Sequence, residues 1–201
     1  MSLSTRGRDI NANSVRVLLF SGAMAFGIYG VAQWGLFHRA HVLADAHELA
    51  MDWLPEVKLK ANLLIDKYGP PSEMTDFRLQ WDHAGPWKSV VIQDFPQSPL
   101  QEVVTYHVPQ DKLAALQKFS HGPLVYADDD ELVARGDSEE LNRLSLNLAN
   151  DIVAGRRTPQ EADRFYRRTV ALAAAGKSSP YMDRLLFPAP IVPIDIHPFP
   201  W

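Results

Sequence analysis

FRLQWDHAGPWKSVVIQDFPQSPLQEVVTYHV, residues 77–108, carries the period that decides the fold. Phe77, Leu79 and Trp81 alternate with Arg78, Gln80 and Asp82, which predicts a half-buried strand with one apolar face. His83-Ala84-Gly85-Pro86 is turn chemistry, and residues 87–93 read as the returning strand. A proline-punctuated loop over 95–99 leads into a third strand over 102–108. Antiparallel pairing is expected, because the first connection is too short to hold a crossover.

Outward from this core the period changes to that of helices. Downstream, Pro109 ends the third strand and opens a helix over 111–119. Residues 124–127 and 131–134 predict a hairpin around the acidic turn Asp128-Asp129-Asp130. Asp137, with Glu140 three residues on, is the expected cap of a helix whose apolar positions are Leu141, Leu144, Leu148 and Ile152. Thr158-Pro159-Gln160-Glu161 is a capping box that starts another helix running to Gly176. Upstream, an amphipathic helix over 56–68 stops at Gly69-Pro70-Pro71, and a further helical stretch over 38–53 stops before Pro55. The expectation is an α+β domain over 56–187, an antiparallel sheet of four or five strands covered by helices, with 38–55 as a helical extension or linker.

Before that domain lies VLLFSGAMAFGIYGVAQWGLF, residues 17–37, a run of 21 residues without a charge. As a helix it reaches across a bilayer core of about 30 Å. Trp34, Phe37 and Arg39 at its far end suit the interface with water. Two rival readings are a cleavable signal peptide and a buried helix of a soluble protein. The first is disfavoured by the length of the run, since such apolar cores span about 7–15 residues. Arg6, Arg8 and Arg16 precede the run, which predicts a cytoplasmic N-terminus over 1–16 and a periplasmic C-terminal domain in a bacterium. Gly22, Gly27 and Gly30 let another helix approach closely, and are the expected helix-packing positions.

The other end of the chain, PAPIVPIDIHPFPW, residues 188–201, holds five of the fifteen prolines. Proline at that density favours extended chain, and Ile194, Ile196, Phe199 and Trp201 make it too apolar for a solvated tail. Pre-extended chain loses little entropy on docking, so these four are the expected partner anchors. The competing reading folds the tail back over its own domain.

Composition excludes several classes. The chain has no cysteine, so disulfides, thiolate metal sites, iron–sulfur clusters and thiol nucleophiles are out. Net charge is −4 with no basic patch, which argues against a nucleic-acid partner. No nucleophile elbow, phosphate loop or dinucleotide fingerprint occurs, and no catalytic residue is assigned; the expectation is a protein that is not an enzyme and has no cofactor of its own. His38 at the membrane exit is a candidate ligand for the magnesium of a chlorophyll-type pigment, against an interfacial histidine with no ligand. His38, His41, Asp45 and Glu48 offer metal-type spacing on one helix face, against a plain polar face. Asp128-Asp129-Asp130-Glu131 lacks the register of a calcium loop and reads as a solvated turn.

Lys67-Tyr68-Gly69-Pro70-Pro71-Ser72-Glu73, Leu79-x-Trp81, Gly85-Pro86-Trp87-Lys88, Leu146-Asn147-Leu148-Ala149-Asn150-Asp151-Ile152-Val153, Ser179-Pro180-Tyr181 and Leu185-Leu186-Phe187 together resemble a family of uncharacterised bacterial membrane-anchored proteins. The resemblance covers about residues 56–187 and implies no activity. The chain also resembles an accessory subunit of a bacterial photosynthetic reaction-centre–antenna complex. That resemblance implies contact with bacteriochlorophyll, carotenoid or lipid in a photosynthetic membrane. Two functions are therefore expected to compete: a structural subunit of a membrane complex, and a membrane-tethered periplasmic domain that binds a small ligand or metal.

Overall fold

Alternation and helical period resolve into a six-stranded sheet with helices in the computed structural model, which describes residues 39–119, 124–128 and 130–189. The chain divides into two units, Met1–Val42 and Leu43–Trp201. Of the first, residues 39–42 are described, and they are helical. The uncharged run 17–37 and the tail beyond 189 lie outside the described residues. Among the described residues, no helix is long and apolar enough to cross a membrane.

The second unit opens with a helix over residues 43–50 (α1). Next comes α2 (Pro55–Tyr68), with Pro55 in its first turn, Glu56 at its positive end and Lys67 at its negative end. Gly69, at φ 81°, ends α2 in a conformation that a side chain would resist. The strands are β1 (Glu73–Thr75), β2 (Arg78–Asp82), β3 (Ser89–Gln93) and β4 (Leu100–Thr105). The short helix α3 (Gln110–Leu116) then carries the chain to the edge strand β5 (Leu124–Asp128), which hairpins back as β6 (Glu131–Gly136) beside β4. The resulting order is β1-β2-β3-β4-β6-β5, antiparallel at every pairing. Helices α4 (Glu139–Val153), α5 (Pro159–Ala174) and α6 (Pro180–Asp183) complete the unit.

Register sorts the side chains into two faces. Leu79, Ile92 and Leu100 align in one row, and Trp81, Val90, Glu102, Ala134 and Val125 in the next. Apart from Glu102, these residues join Ala46, Ala50, Trp53, Val57, Ala61, Ile65, Leu144 and Leu148 in one apolar core. The opposite face carries Gln80, Val91, Gln101 and Arg135 across neighbouring strands. Helix α4 lies deepest: ten of its 15 residues are buried, so polar side chains at Asn142, Ser145, Asn147, Asn150 and Asp151 are inside as well.

Several expectations need correction. The sheet has six strands, not four or five, because the three-residue β1 adds an edge too short to show a period. Phe77 does not enter the core; it stands in the β1–β2 turn, 53% exposed. The third strand spans Leu100–Thr105 rather than 102–108, since its pairing with β6 ends at Thr105↔Glu131. Ser138, not Asp137, caps α4 by accepting from Leu141 N, while Asp137 accepts from Ser98 N. Residues within 38–55 are more than a linker, for Ala46, Ala50 and Trp53 belong to the core. The capping box at Thr158 and Glu161 forms as expected.

Candidate functional site

Two polar centres sit at opposite ends of α4. The first gathers where the end of α2, the middle of β4 and the start of α4 meet. Glu102, in the row between Val90 and Ala134, is 0% exposed. Neither of its carboxyl oxygens has a hydrogen-bond partner, and the same holds for Asn142 Oδ1 and Ser145 Oγ. Asn142 spends its NH2 group on Leu100 O at 3.3 Å. Buried oxygens without donors are rare in folded proteins because each forfeits its hydration.

Glu139, one turn before Asn142, is the opposite case. It takes a hydrogen bond from Tyr68 Oη, an ion pair from Lys67 Nζ and another from Arg143 Nη2 at 3.2 Å. Tyr68 Oη in turn accepts from Trp87 Nε1 at 3.0 Å, and Trp81 Nε1 donates to Gly69 O at 2.8 Å. Local sequence explains the convergence: Gly69 stops α2 so that Tyr68 projects inward, and the β2–β3 turn brings Trp87 to it. In that turn Gly85 holds φ 61° beside the Tyr68 ring.

These surroundings push the two carboxyls apart. Burial first, then the charge of Glu139, raises Glu102 well above the usual carboxylate range, against a smaller pull from Asn142 and Arg143. Burial alone would raise Glu139 too, but hydrogen bonds from Lys67 and Tyr68 and the Arg143 charge hold it below that range. Burial and the hydrogen bond to Glu139 raise the Tyr68 hydroxyl. Divergent carboxyls are the pattern of an acid–base pair. Glu102, however, is buried in the core with no exposed surface. What the pair can do is hold a proton.

Beside it, Lys60, Leu63, Leu64, Lys67, Leu100 and Glu139 line a groove of about 150 Å³. Both of its lysines are already paired, Lys67 with Glu139 and Lys60 with Asp137 at 4.0 Å.

The second centre, at the far end of α4, has no such deficit. Asn147 Nδ2 donates to Tyr181 O at 2.9 Å and Arg184 O at 2.8 Å, and its Oδ1 accepts from Leu186 N at 2.7 Å. Asn150 Oδ1 accepts from Tyr106 Oη at 2.9 Å, and the Tyr106 ring meets Phe187 edge-on at 5.2 Å. Asp151 accepts from Arg156 Nε, Arg157 Nε and Tyr181 Oη, each at 2.8 Å. Burial works against that carboxylate, but these three donors hold it below its ordinary range. This network pins the segment 181–187 that leads into the C-terminal tail.

A surface feature completes the inventory. Leu54 N donates to Asp94 Oδ1 at 2.9 Å, and Asp94 N donates to Phe77 O at 2.9 Å. These bonds bring Leu54, Phe77 and Phe95 together, with Met51 three residues before Leu54. All four are exposed, at 37%, 53%, 41% and 61% respectively.

The residues singled out by sequence, His38, Gly22, Gly27, Gly30, Ile194, Ile196, Phe199 and Trp201, lie outside the described residues. Among the described residues no group of three or more His, Asp or Glu is placed to hold a metal ion, so the His41, Asp45 and Glu48 spacing does not build one there. Of the acidic turn, Glu131 pairs with Lys88 and Asp130 with His107. Sequence reading missed Glu102, Glu139 and Asn147. A carboxylate between Leu100 and the pair Val103-Val104 in a strand segment was the available signal for the first. No family model, curated protein or solved structure is significantly similar to this chain.

Proposed function

We propose that this chain is a non-catalytic, membrane-anchored accessory subunit that stabilises a larger bacterial membrane complex by protein–protein contact. The observation that carries the reading is the exposed apolar group Met51, Leu54, Phe77 and Phe95. Single exposed apolar side chains are ordinary, but Leu54, Phe77 and Phe95 are drawn together through Asp94, with Met51 three residues from Leu54, and such a group suits a contact surface. The Asn147 clamp supports it from the other end of the domain, by giving the apolar tail 188–201 a rigid root. The uncharged run 17–37 supplies the anchor, with the N-terminus in the cytoplasm and the domain in the periplasm. A photosynthetic reaction-centre–antenna complex is the assembly to which the sequence resemblance points.

Mild detergent extraction through an N-terminal affinity tag, followed by mass spectrometry and an absorption spectrum, tests this. A stoichiometric set of membrane proteins is expected, with bacteriochlorophyll bands if the complex is photosynthetic. The double variant Phe77→Asp, Phe95→Asp should lose that set while its thermal unfolding falls only modestly, because both side chains lie outside the core, Phe95 losing its contact with Arg135. Retention of the full set by the variant would remove the contact surface from the proposal.

The second reading, a tethered domain that binds a small ligand, is favoured by the groove between α2 and α4, whose floor is Leu64 and Leu100. It predicts a ligand-dependent rise in unfolding temperature of the purified chain, lost in Leu64→Trp.

A further inference from the structure

Glu102 occupies a position that the sheet reserves for apolar side chains. Its row neighbours are Val90 on β3 and Ala134 on β6, and the row continues to Trp81 and Val125, all buried. No positive charge on either neighbouring strand stands opposite it. From the helices, the groups that face it are Glu139 and Arg143 on α4 and Tyr68 at the end of α2, with Lys67 bonded to Glu139. Arg143 is already committed to Glu139 at 3.2 Å and Lys67 to the same carboxylate.

The four orphan atoms at this corner are all oxygens: Glu102 Oε1, Glu102 Oε2, Asn142 Oδ1 and Ser145 Oγ. The amide NH2 of Asn142 is the neutral donor nearest Glu102, and it is already bonded to Leu100 O at 3.3 Å. Glu139 is the charged neighbour that acts most strongly on Glu102, and two carboxylates cannot hydrogen-bond to each other. A single proton on Glu102 converts this repulsive contact into a short O–H···O⁻ bond. The donor is the buried acid, and the acceptor is the carboxylate that three other donors already keep ionised.

We propose that Glu102 and Glu139 hold one proton between them in the folded protein, and that this proton latches the start of α4 and the end of α2 to the sheet. Removing it leaves two negative carboxylates in contact, one of them in the core. The corner then opens at Glu139, Lys67 and Tyr68, the first two of which also line the groove. The direction follows from linkage. An acid whose folded form retains its proton contributes most below its unfolded pKa of about 4.3, and the contribution falls as pH rises. The fall approaches about tenfold in the folding constant per pH unit for one proton.

The test uses the full-length protein and its Glu102→Gln variant. The amide keeps the shape and a donor but cannot ionise. Infrared spectra in D2O at neutral pH should show the carbonyl band of a protonated carboxylic acid in the wild type and not in the variant. Urea unfolding from about pH 6 to about pH 9 should show the wild-type folding constant declining with pH relative to the variant. Trypsin at the alkaline end should cut after Lys67 faster in the wild type. Absence of the carboxylic acid band in the wild type would overturn the proposal even if the variant failed to fold. So would parallel pH profiles, or equal cutting at Lys67. Stabilisation by added Ca²⁺ or Na⁺ that disappears in Glu102→Gln would also overturn it, by making the corner a cation site.

Discussion

Each end of α4 meets a set of buried polar residues, and the two sets are treated in opposite ways. At the C-terminal end, Asn147, Asn150 and Asp151 are met by donors and acceptors from α6, Tyr106 and the loop at Arg156 and Arg157. At the N-terminal end, Glu102, Asn142 and Ser145 leave four oxygens unmet. Low dielectric magnifies both outcomes: it strengthens satisfied bonds and penalises unsatisfied atoms. The first end is therefore a clamp, and the second is poised on a proton.

Deleting polar groups should separate the ends sharply. The largest effect is expected for Asp151→Ala, which strands Arg157 and Tyr181 and should cost about 3 kcal/mol in urea unfolding. Asn147→Ala removes three hydrogen bonds to the segment 181–186 and should cost about 2 kcal/mol, with that segment losing protection from hydrogen exchange. Ser145→Ala, at the unsatisfied end, should change stability by no more than about 0.5 kcal/mol, because its hydroxyl has no partner to lose. A cost for Ser145→Ala comparable with that for Asn147→Ala would break the comparison.

Acid and base should also separate them. Three donors depress the Asp151 carboxyl, so its contribution is complete above an unfolded pKa of about 3.9 and is lost as pH falls through the lower folded value. Glu102 runs the other way, and its contribution weakens as pH rises above about 4.3. Comparison of wild type with Asp151→Asn in acid, and with Glu102→Gln in mild alkali, should give differences of opposite slope. Equal slopes would mean that the two ends are not distinguished by protonation.

How much of this was legible in advance depends on the range of the interaction. The capping box of Thr158 and Glu161 lies within four residues and could be read directly. Alternation at Leu79 and Trp81, the β2–β3 turn and the β5–β6 hairpin were legible for the same reason. Phe77 broke the pattern because a turn, not a strand, holds it. Asp137 lost the cap of α4 to Ser138 because its carboxylate is bonded to Ser98 N, 39 residues away. The Leu146–Val153 string showed its leucines as a helical face, but nothing local said that Asn147, Asn150 and Asp151 would also be inside.

Sequence by itself determined the α+β class, the helix stops and turns, and the uncharged and proline-rich segments at either end. Each of those follows from chemistry between near neighbours: side-chain alternation, backbone conformation and missing charge. Only tertiary structure decided that Glu102 sits in an apolar row against Glu139, that Asn147 holds the root of the tail, and that Phe77 and Phe95 share a surface with Leu54. Those facts depend on register and on helix placement across the sheet. They bring together residues 23 to 41 positions apart, and no local pattern encodes that.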